Sequence, residues 1–265
     1  MSENVFVERY GPWAVVVGGS EGVGSAFADR LARQGLRLLL IARKPGPLEQ
    51  TAGEVRRKYG AEVRTLSLDV ATPDAAAKII AAAETLQTGL LIYNAGADSS
   101  FKYFLDRPLD ESERMVMLNV LTPMRLARHF AAAMSERRRG GGLIFCSSLA
   151  GLAGTPGNGV YSAVKAFIDT FAEMAWFELG KQGIDVLCAL FPLVRTPAME
   201  RLGLKFDGEI KGADPGDIAD EALANINRGP VLHAGGTSGR AMRLRTLPRD
   251  KAVLTMVGVT DSVQE

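Results

Sequence analysis

Two residues four positions apart, Tyr161 and Lys165, have the types and spacing that proton transfer requires. In a helix predicted to begin near Asn158, positions i and i+4 project from one face, one turn apart. A free tyrosine titrates at about 10, and a nearby cation favours the phenolate. Such a pair can therefore donate or accept a proton near neutral pH. Aromatic and basic residues also share helix faces by chance, so the interpretation depends on the elements that position the pair.

A glycine-rich turn lies far upstream, after the apolar run Trp13–Val17 and before a predicted amphipathic helix. Glycines at this point let backbone N–H groups approach a diphosphate at the positive end of the helix. An ordinary turn with flexible glycines has a similar composition, but the strand before and the helix after favour nucleotide binding. The glycines, at Gly18, Gly22 and Gly24, are spaced more widely than in the usual Gly-x-Gly-x-x-Gly pattern.

The second buried strand, residues 36–41, ends in Ala42, Arg43 and Lys44. In a Rossmann-type site this strand end faces the adenosine ribose, where a carboxylate selects the free 2′-hydroxyl and an arginine accommodates a 2′-phosphate. Here two cations and no carboxylate are present, which predicts NADP(H). Solvated charges at the end of a strand would give the same residues.

Further along the chain, short apolar runs alternate with helical patterns. This alternation is typical of βαβ units, in which parallel strands are covered by helices on both faces. It predicts a Rossmann-type, doubly wound α/β fold of about seven parallel strands, in a single domain over residues 1–265. Beyond the second strand, the predicted strands are 63–68, 90–93, 143–146, Ile184–Phe191 and Val231–His233, and the predicted helices are 48–59, 72–87, 110–137, one from 158, 217–228 and one from 248.

Less regular stretches interrupt this alternation. Residues 98–110 include Phe101, Tyr103, Phe104 and Leu105, which predict either a packed loop or part of a substrate wall. Residues 197–211 have the composition of a lid, and residues 235–265 form a C-terminal extension. Because the named aromatic and apolar residues of these two stretches supply an apolar lining with few charges, we expect a bulky hydrophobic carbonyl compound as substrate. The lid residues concerned are Met199, Leu202 and Leu204.

The bulk composition excludes several classes of protein. Lys+Arg of 31 against Asp+Glu of 30 gives a formal charge of +1, which offers no general attraction for nucleic acid or anionic membranes. Cys146 and Cys188 lie in apolar runs and are expected to be buried thiols. His129 and His233 stand alone, so no metal site is predicted. No apolar signal core or membrane-spanning run is present, which predicts a cytoplasmic protein.

Taken in order, the motifs resemble the short-chain dehydrogenase/reductase family over nearly the whole chain to about Val231. Ser148 precedes Tyr161 by 13 positions, as in the family, and Tyr161 with Lys165 matches its Tyr-x-x-x-Lys signature. Asn119, in an apolar context, falls where the family keeps a fourth catalytic residue. Residues 10–17 resemble the branch that includes 3-oxoacyl thioester reductases and hydroxysteroid dehydrogenases.

Three positions depart from the family pattern. Val17 stands where the glycine motif usually begins with Thr, Tyr93 replaces the first Asn of Asn-Asn-Ala-Gly, and Leu193 replaces the Gly of Pro-Gly-x-x-x-Thr. These changes bear on the cofactor side of the site. None of them removes a catalytic group.

The resemblance implies transfer of a hydride between nicotinamide and a carbonyl carbon. In that mechanism Tyr161 exchanges the proton, Ser148 positions the substrate oxygen, Lys165 binds the nicotinamide ribose and favours the phenolate, and Asn119 holds a water that links Lys165 to solvent. The implied cofactor contacts are Gly18, Ser20, Glu21, Gly22, Val23, Gly24, Arg43, Lys44, Asp69, Val70, Asn94, Ala95, Gly96, Tyr161, Lys165, Pro192, Val194 and Thr196.

The resemblance also suggests a homodimer or homotetramer assembled through the two long helices. Two other classes remain as alternatives to an NADPH-dependent oxidoreductase. A non-catalytic NADP-binding regulatory protein would keep the glycine turn and Arg43 without needing Ser148, Tyr161 and Lys165 together. A nucleic-acid-binding Rossmann domain is disfavoured by the nearly neutral charge.

Overall fold

Seven strands form the centre of the computed structural model, which describes residues 3–96, 101–206 and 211–264. They are β1 (Trp13–Val17), β2 (Arg37–Ala42), β3 (Val63–Ser67), β4 (Thr88–Tyr93), β5 (Gly141–Ser148), β6 (Ile184–Phe191) and β7 (Val231–His233). All pair in parallel in one sheet, in the order β3-β2-β1-β4-β5-β6-β7. The predicted doubly wound parallel fold is therefore confirmed.

Helices cover both faces of this sheet. They are α1 (Glu3–Tyr10), α2 (Gly22–Arg33), α3 (Pro45–Tyr59), α4 (Ala75–Ala83), α5 (Leu109–Val116), α6 (Thr122–Arg137), α7 (Gly159–Gly180), α8 (Pro197–Arg201), α9 (Pro215–Ala224), α10 (Ser238–Thr246) and α11 (Arg249–Gln264). One buried cluster contains Phe27 of α2 and Ile218 of α9, and the other contains Phe130 of α6 and Ile168 of α7. The central strands β1 and β4 are continuous apolar runs, because both of their faces are buried.

Several predicted boundaries are wrong. The predicted helix 110–137 is divided, because a π-helical turn, Met117–Leu121, separates α5 from α6. The predicted helix 72–87 is shorter, since the Thr72 hydroxyl donates to the Asp69 carbonyl and the helix begins only at Ala75. Helices α1 and α10 were not predicted.

The order of the strands places a crevice at the edge where β1 and β4 end. The chain leaves β1 toward β2 on one side and reaches β4 on the other, so the connections diverge at this point. In open α/β sheets, ligands bind outside the carboxyl ends of the strands at such a switch point. Among the described helices, none has both the length and the apolar content needed to cross a membrane.

Candidate active site

An open cleft of about 1240 Å³ lies along the carboxyl edge of the sheet. It brings together residues that are far apart in the sequence, because the segments that follow the parallel strands all reach this edge. Gly24 and Asn119 lie outside the lining of the cleft. The predicted site residues that line it are Gly18, Ser20, Glu21, Gly22, Val23, Arg43, Lys44, Asp69, Val70, Asn94, Ala95, Gly96, Ser148, Tyr161, Lys165, Pro192, Val194 and Thr196.

The glycine turn is packed tightly against the end of β4. Gly18 has a φ of 86°, which favours glycine, and its carbonyl accepts a hydrogen bond from Asn94 Nδ2 at 3.1 Å. A Cβ atom on Gly24 would overlap that same Gly18 carbonyl. Gly24 therefore acts from behind the cleft, where its lack of a side chain lets α2 begin close to the strand ends.

Lys165 and Tyr161 are held on α7, whose N-cap residue is Asn158. The Lys165 side chain is 4% exposed, and its Nζ lies 5.4 Å from the centroid of the Tyr161 ring. Nζ donates a hydrogen bond to the Cys146 carbonyl of β5 at 3.1 Å. Burial lowers the pKa of Lys165, because the charged form loses hydration. The pair predicted from its spacing is thus a phenol beside a buried amine.

Ser148 is the last residue of β5 and faces the same cleft as Tyr161. Its Oγ accepts a hydrogen bond from the Ala150 N–H at 3.2 Å, which caps the short 3-10 helix Leu149–Leu152. This contact fixes one side of the hydroxyl. The donor proton of Ser148 can still be directed to an oxygen atom in the cleft.

Asn119 lies in the π-helical turn, behind the cleft. Its Nδ2 donates to the Met115 carbonyl at 3.1 Å, while its buried Oδ1 has no hydrogen-bond partner within the described protein. A Cβ atom on Gly96 would overlap Oδ1 and lie 3.0 Å from Lys165 Nζ. The glycine thus lets the Asn119 and Lys165 polar atoms approach the same backbone position.

The strand end at β2 presents two exposed cations, Arg43 and Lys44. Asp69, which follows the neighbouring strand β3, lines the same cleft. Partial burial raises the pKa of Asp69, but hydrogen bonds from Arg114 at 2.7 Å and from the Ala71 N–H at 3.0 Å outweigh it, so the net pKa is below its ordinary value. Asp69 is therefore ionised at neutral pH and held by Arg114.

The aromatic stretch after β4 contributes one of its four predicted residues, Phe101, to the wall that the sequence suggested as one alternative. Phe101 lines the cleft, but Tyr103, Phe104 and Leu105 do not, and Leu105 is 92% exposed. Their environment is solvent rather than packed loop or substrate wall. Residues 98–100 and 207–210, within the predicted loop and lid, lie outside the described residues.

The apolar side of the cleft is supplied by the predicted lid and by the C-terminal extension. Met199, Leu202 and Leu204 line it, and so does Met256 of α11. The lid is tied to the glycine turn, because Arg201 of α8 forms an ion pair with Glu21.

Sequence reasoning missed several lining residues. Met256 follows Lys165 by more than 90 positions, and only its place on the apolar face of a terminal helix pointed to a buried role. The other missed residues include Thr155, Asn158, Thr237 and Arg240, for which no motif gave a signal. Across residues 3–96, 101–206 and 211–264, no group of three His, Cys, Asp or Glu side chains is arranged to hold a metal ion.

The sequence was compared with protein-family models and with known proteins, and it matches both. The family model of the short chain dehydrogenases matches residues 12–205. The chain is 32% identical over 225 residues to a 7β-hydroxysteroid dehydrogenase of Mediterraneibacter gnavus, covering 83% of this chain and 85% of that protein. It is 35% identical over 191 residues to a very-long-chain 3-oxoacyl-CoA reductase of Mus musculus, covering 71% of this chain and 61% of that protein.

Solved structures are similar over a larger part of the chain. A 7β-hydroxysteroid dehydrogenase structure superposes with a TM-score of 0.88 at 30% identity, covering 95% of this chain and 98% of the other. A short-chain dehydrogenase from Sphingobium yanoikuyae in complex with NADPH gives a TM-score of 0.78 at 28% identity, covering 88% and 92%.

Proposed function

Because the chain belongs to the short-chain dehydrogenase family and is an oxidoreductase with a nicotinamide cofactor, we propose that it uses NADPH to interconvert a bulky hydrophobic ketone and its secondary alcohol. The predicted family is confirmed, and so is the branch with 3-oxoacyl reductases and hydroxysteroid dehydrogenases. The alternative of a non-catalytic NADP-binding protein finds no support among these relatives. The observation that carries the proposal is the convergence of Ser148, Tyr161 and Lys165 on one cleft.

The residues at the strand ends fit a nicotinamide dinucleotide. Gly18 and Gly22 have positive φ angles of 86° and 57° in the turn between β1 and α2. The Gly18 and Gly19 N–H groups donate to the Ile41 carbonyl, so a diphosphate would bind at the positive end of α2, which begins at Gly22. The buried Lys165 is placed to bind the ribose hydroxyls next to the nicotinamide. When bound, the cofactor supplies or accepts the hydride.

Each catalytic side chain then has a separate role. In reduction, Tyr161 donates its phenolic proton to the carbonyl oxygen, and in oxidation it accepts the proton of the alcohol. Ser148 Oγ donates a hydrogen bond to the same oxygen and fixes its position. The Lys165 ammonium group favours the phenolate of Tyr161, and Asn119 Oδ1 accepts a hydrogen bond from the solvent chain that restores the proton.

The choice of NADPH rests on the end of β2. Ala42, at the position where a carboxylate would select NADH, carries no charge, and the following Arg43 and Lys44 are exposed cations in the cleft. The planar guanidinium of Arg43 suits a 2′-phosphate, to which it donates two hydrogen bonds. The NADPH bound to the Sphingobium relative supports the same choice.

The substrate class rests on the apolar wall of the cleft. Phe101, Met199, Leu202, Leu204 and Met256 line the same cleft as Tyr161 and Ser148. Such a wall binds a large apolar body and leaves the two hydroxyl groups to recognise its single reacting oxygen. The names of the relatives, a hydroxysteroid dehydrogenase and a 3-oxoacyl-CoA reductase, support this class.

A spectrophotometric screen tests the proposal. Oxidation of NADPH is followed by absorbance with a panel of steroid-like, aryl and long-chain ketones and, as the matched set, small hydroxyketones and sugars. We expect turnover with the bulky apolar ketones and little with the polar set. Turnover restricted to small polar compounds would contradict the substrate class, and absence of turnover with every ketone would contradict the function.

We also propose a homo-oligomer assembled through α7 and its neighbours. Met174 and Phe177 expose large apolar surface on α7, which supports an interface there. Light scattering after size-exclusion chromatography gives the mass directly, and a monomer at micromolar concentration would contradict the proposal. The cytoplasmic location inferred from the sequence stays a prediction.

A further inference from the structure

A second ionisable residue of α7 is buried behind the active site. Asp169 follows Lys165 by four positions, so the two side chains leave the same face of the helix, one turn apart. Asp169 is 5% exposed, close to the value for Lys165. A buried carboxylate is rare unless it is paired or serves another group, because burial costs it the hydration of its charge.

The contacts of Asp169 come from β6 and from the segment after β5. The Cys188 thiol of β6 donates to Asp169 Oδ1 at 3.4 Å. A Cβ atom built on Gly151 would lie 3.0 Å from Asp169 Oδ2, so the chain after β5 packs closely over the carboxylate. The Ser147 hydroxyl, whose Oγ lies 3.4 Å from the Lys165 carbonyl, completes this pocket. Asp169 is thus held in one orientation on the inner face of α7.

Several titratable groups face Lys165 and Asp169 from the elements packed around them. They are Cys146 of β5, Cys188 of β6, Arg245 of α10 and, on α7 itself, Tyr161. Burial raises the pKa of Cys146 to about 12 and also raises that of Cys188, so both thiols are neutral. With both thiols neutral, Asp169 is the carboxylate among the described groups that act on the charge of Lys165.

Opposing influences act on the carboxyl group. Burial raises the pKa of Asp169, whereas hydrogen bonds from Ser147 and Cys188 and the charges of Lys165 and Arg245 act in the opposite direction. Burial likewise lowers the pKa of Lys165, and Cys146, Cys188 and Asp169 act against that change. Each group thus favours the charged form of the other.

We propose that Asp169 is a positioning residue whose buried carboxylate keeps the Lys165 ammonium group protonated beside Tyr161. It acts through the field of its charge, because Lys165 Nζ donates its hydrogen bond to the Cys146 carbonyl and stays oriented toward the cleft. The ammonium group in turn favours the Tyr161 phenolate and binds the cofactor ribose, so the inference rests on the proposed function. Without the carboxylate, Lys165 would lose its proton at a lower pH, and activity would fall first on the alkaline side.

The test compares the pH dependence of wild type and Asp169→Asn. The substitution preserves size and removes the charge. We expect alcohol oxidation by the variant to be within about threefold of wild type near pH 7 and to fall about tenfold further near pH 10. The Kd for NADPH, measured by fluorescence, should weaken in parallel, because Lys165 binds the ribose. Asp169→Glu, which restores the charge, should recover the alkaline activity at least in part.

Glu173→Gln is the matched control. Glu173 lies one further turn along the same face of α7 but is exposed, and its carboxylate is 3.9 Å from Arg245. Water screens its charge, so its removal should leave the pH profile unchanged. Thermal unfolding shows whether each variant is folded, and Asp169→Ser, which needs less room, replaces the Asn variant if that one is not.

The outcomes separate the inference from the function on which it rests. An Asp169→Asn profile that matches wild type, or that falls by one factor at every pH, would overturn the inference, since either result means that the carboxylate has no charge-dependent role. A wild-type protein that turns over no ketone or alcohol would instead overturn the proposed function.

Discussion

At the scale of single residues, the chemistry depends on charges that are positioned before the substrate arrives. Lys165 is withdrawn from water and oriented by the Cys146 carbonyl, and Ser148 is fixed by the Ala150 N–H. Groups that are already oriented need no reorganisation during the reaction, which is the main source of electrostatic stabilisation in active sites. The residue types were predictable, because a hydroxyl at Ser148, a phenol at Tyr161 and an amine at Lys165 match the family motif in order and spacing. Their burial was not, since it is set by the elements around them.

We expect two neighbouring residues, Ala42 and Arg43, to determine the preference for NADPH. Ala42→Asp together with Arg43→Ile places a carboxylate where a 2′-phosphate would bind and removes the guanidinium group. A charge-assisted hydrogen bond contributes about 1.5–3 kcal/mol, so we expect NADPH affinity to fall about 10–100-fold while NADH affinity is similar or better. Fluorescence titration of both cofactors measures this.

The control for that experiment is Arg57→Ile on α3, an exposed arginine that does not line the cleft. It should leave both affinities unchanged. Equal affinity of the wild-type protein for the two cofactors, or tighter binding of NADH, would show that Arg43 does not select the 2′-phosphate.

At the scale of elements, the glycine turn allows α2 to begin close to the end of β1. Gly24→Ala adds a methyl group that overlaps the Gly18 carbonyl, so α2 must move away from the strand ends. Overpacking of this kind costs about 1–3 kcal/mol, and we expect NADPH affinity to fall about 5–100-fold. The affinity is measured by titration, with circular dichroism as a check of the fold.

Gly53 offers the matched comparison, because a Cβ atom there meets nothing within 4 Å. It lies within α3, where alanine is favoured over glycine by about 0.5–1 kcal/mol. Gly53→Ala should therefore raise the unfolding temperature slightly and leave the Kd for NADPH unchanged. If both variants bind NADPH like wild type, the close approach at Gly24 has no role in cofactor binding.

The C-terminal helix α11 makes a separate contribution to the cleft, which we expect to be on the substrate side. Met256 lines the cleft, whereas Leu254, two positions earlier, is 62% exposed. Met256→Ala removes apolar wall, and we expect the KM for bulky ketones to rise about tenfold with little change in the Kd for NADPH. Leu254→Ala should change neither constant. A Met256→Ala enzyme with wild-type KM for every bulky ketone would exclude α11 from the substrate site.

At the scale of the whole molecule, the topology brings the site together. Tyr161 and the glycine turn are more than 130 positions apart in the sequence, yet both lie at one edge because every strand runs in the same direction. The alternation of apolar runs was sufficient to predict this arrangement, since strands buried on both faces have a clear composition. The helix boundaries and the additional helices α1 and α10 could not be predicted from the sequence, because tertiary contacts determine them.

The incorrect predictions about helices and loops have physical causes. The π-helical turn at Asn119 adds a residue to one turn of a helix, and the apolar periodicity on either side does not report it. Helix α10 has a weakly apolar sequence, and only two of its residues, Ala241 and Leu244, are buried. The aromatic run after β4 has the composition of a wall, but the orientation of its backbone leaves Tyr103, Phe104 and Leu105 in solvent.

The central claim is that Tyr161 exchanges a proton with the substrate oxygen during hydride transfer. Tyr161→Phe removes that proton and keeps the ring, so the most direct measurement is its kcat for a bulky ketone with saturating NADPH. Tyr103→Phe is the control, because Tyr103 is exposed and does not line the cleft. We expect Tyr161→Phe to lose about 10²–10⁴-fold in kcat with NADPH binding intact, and Tyr103→Phe to match wild type. A folded, NADPH-binding Tyr161→Phe variant that retains more than about a tenth of wild-type turnover would contradict the account.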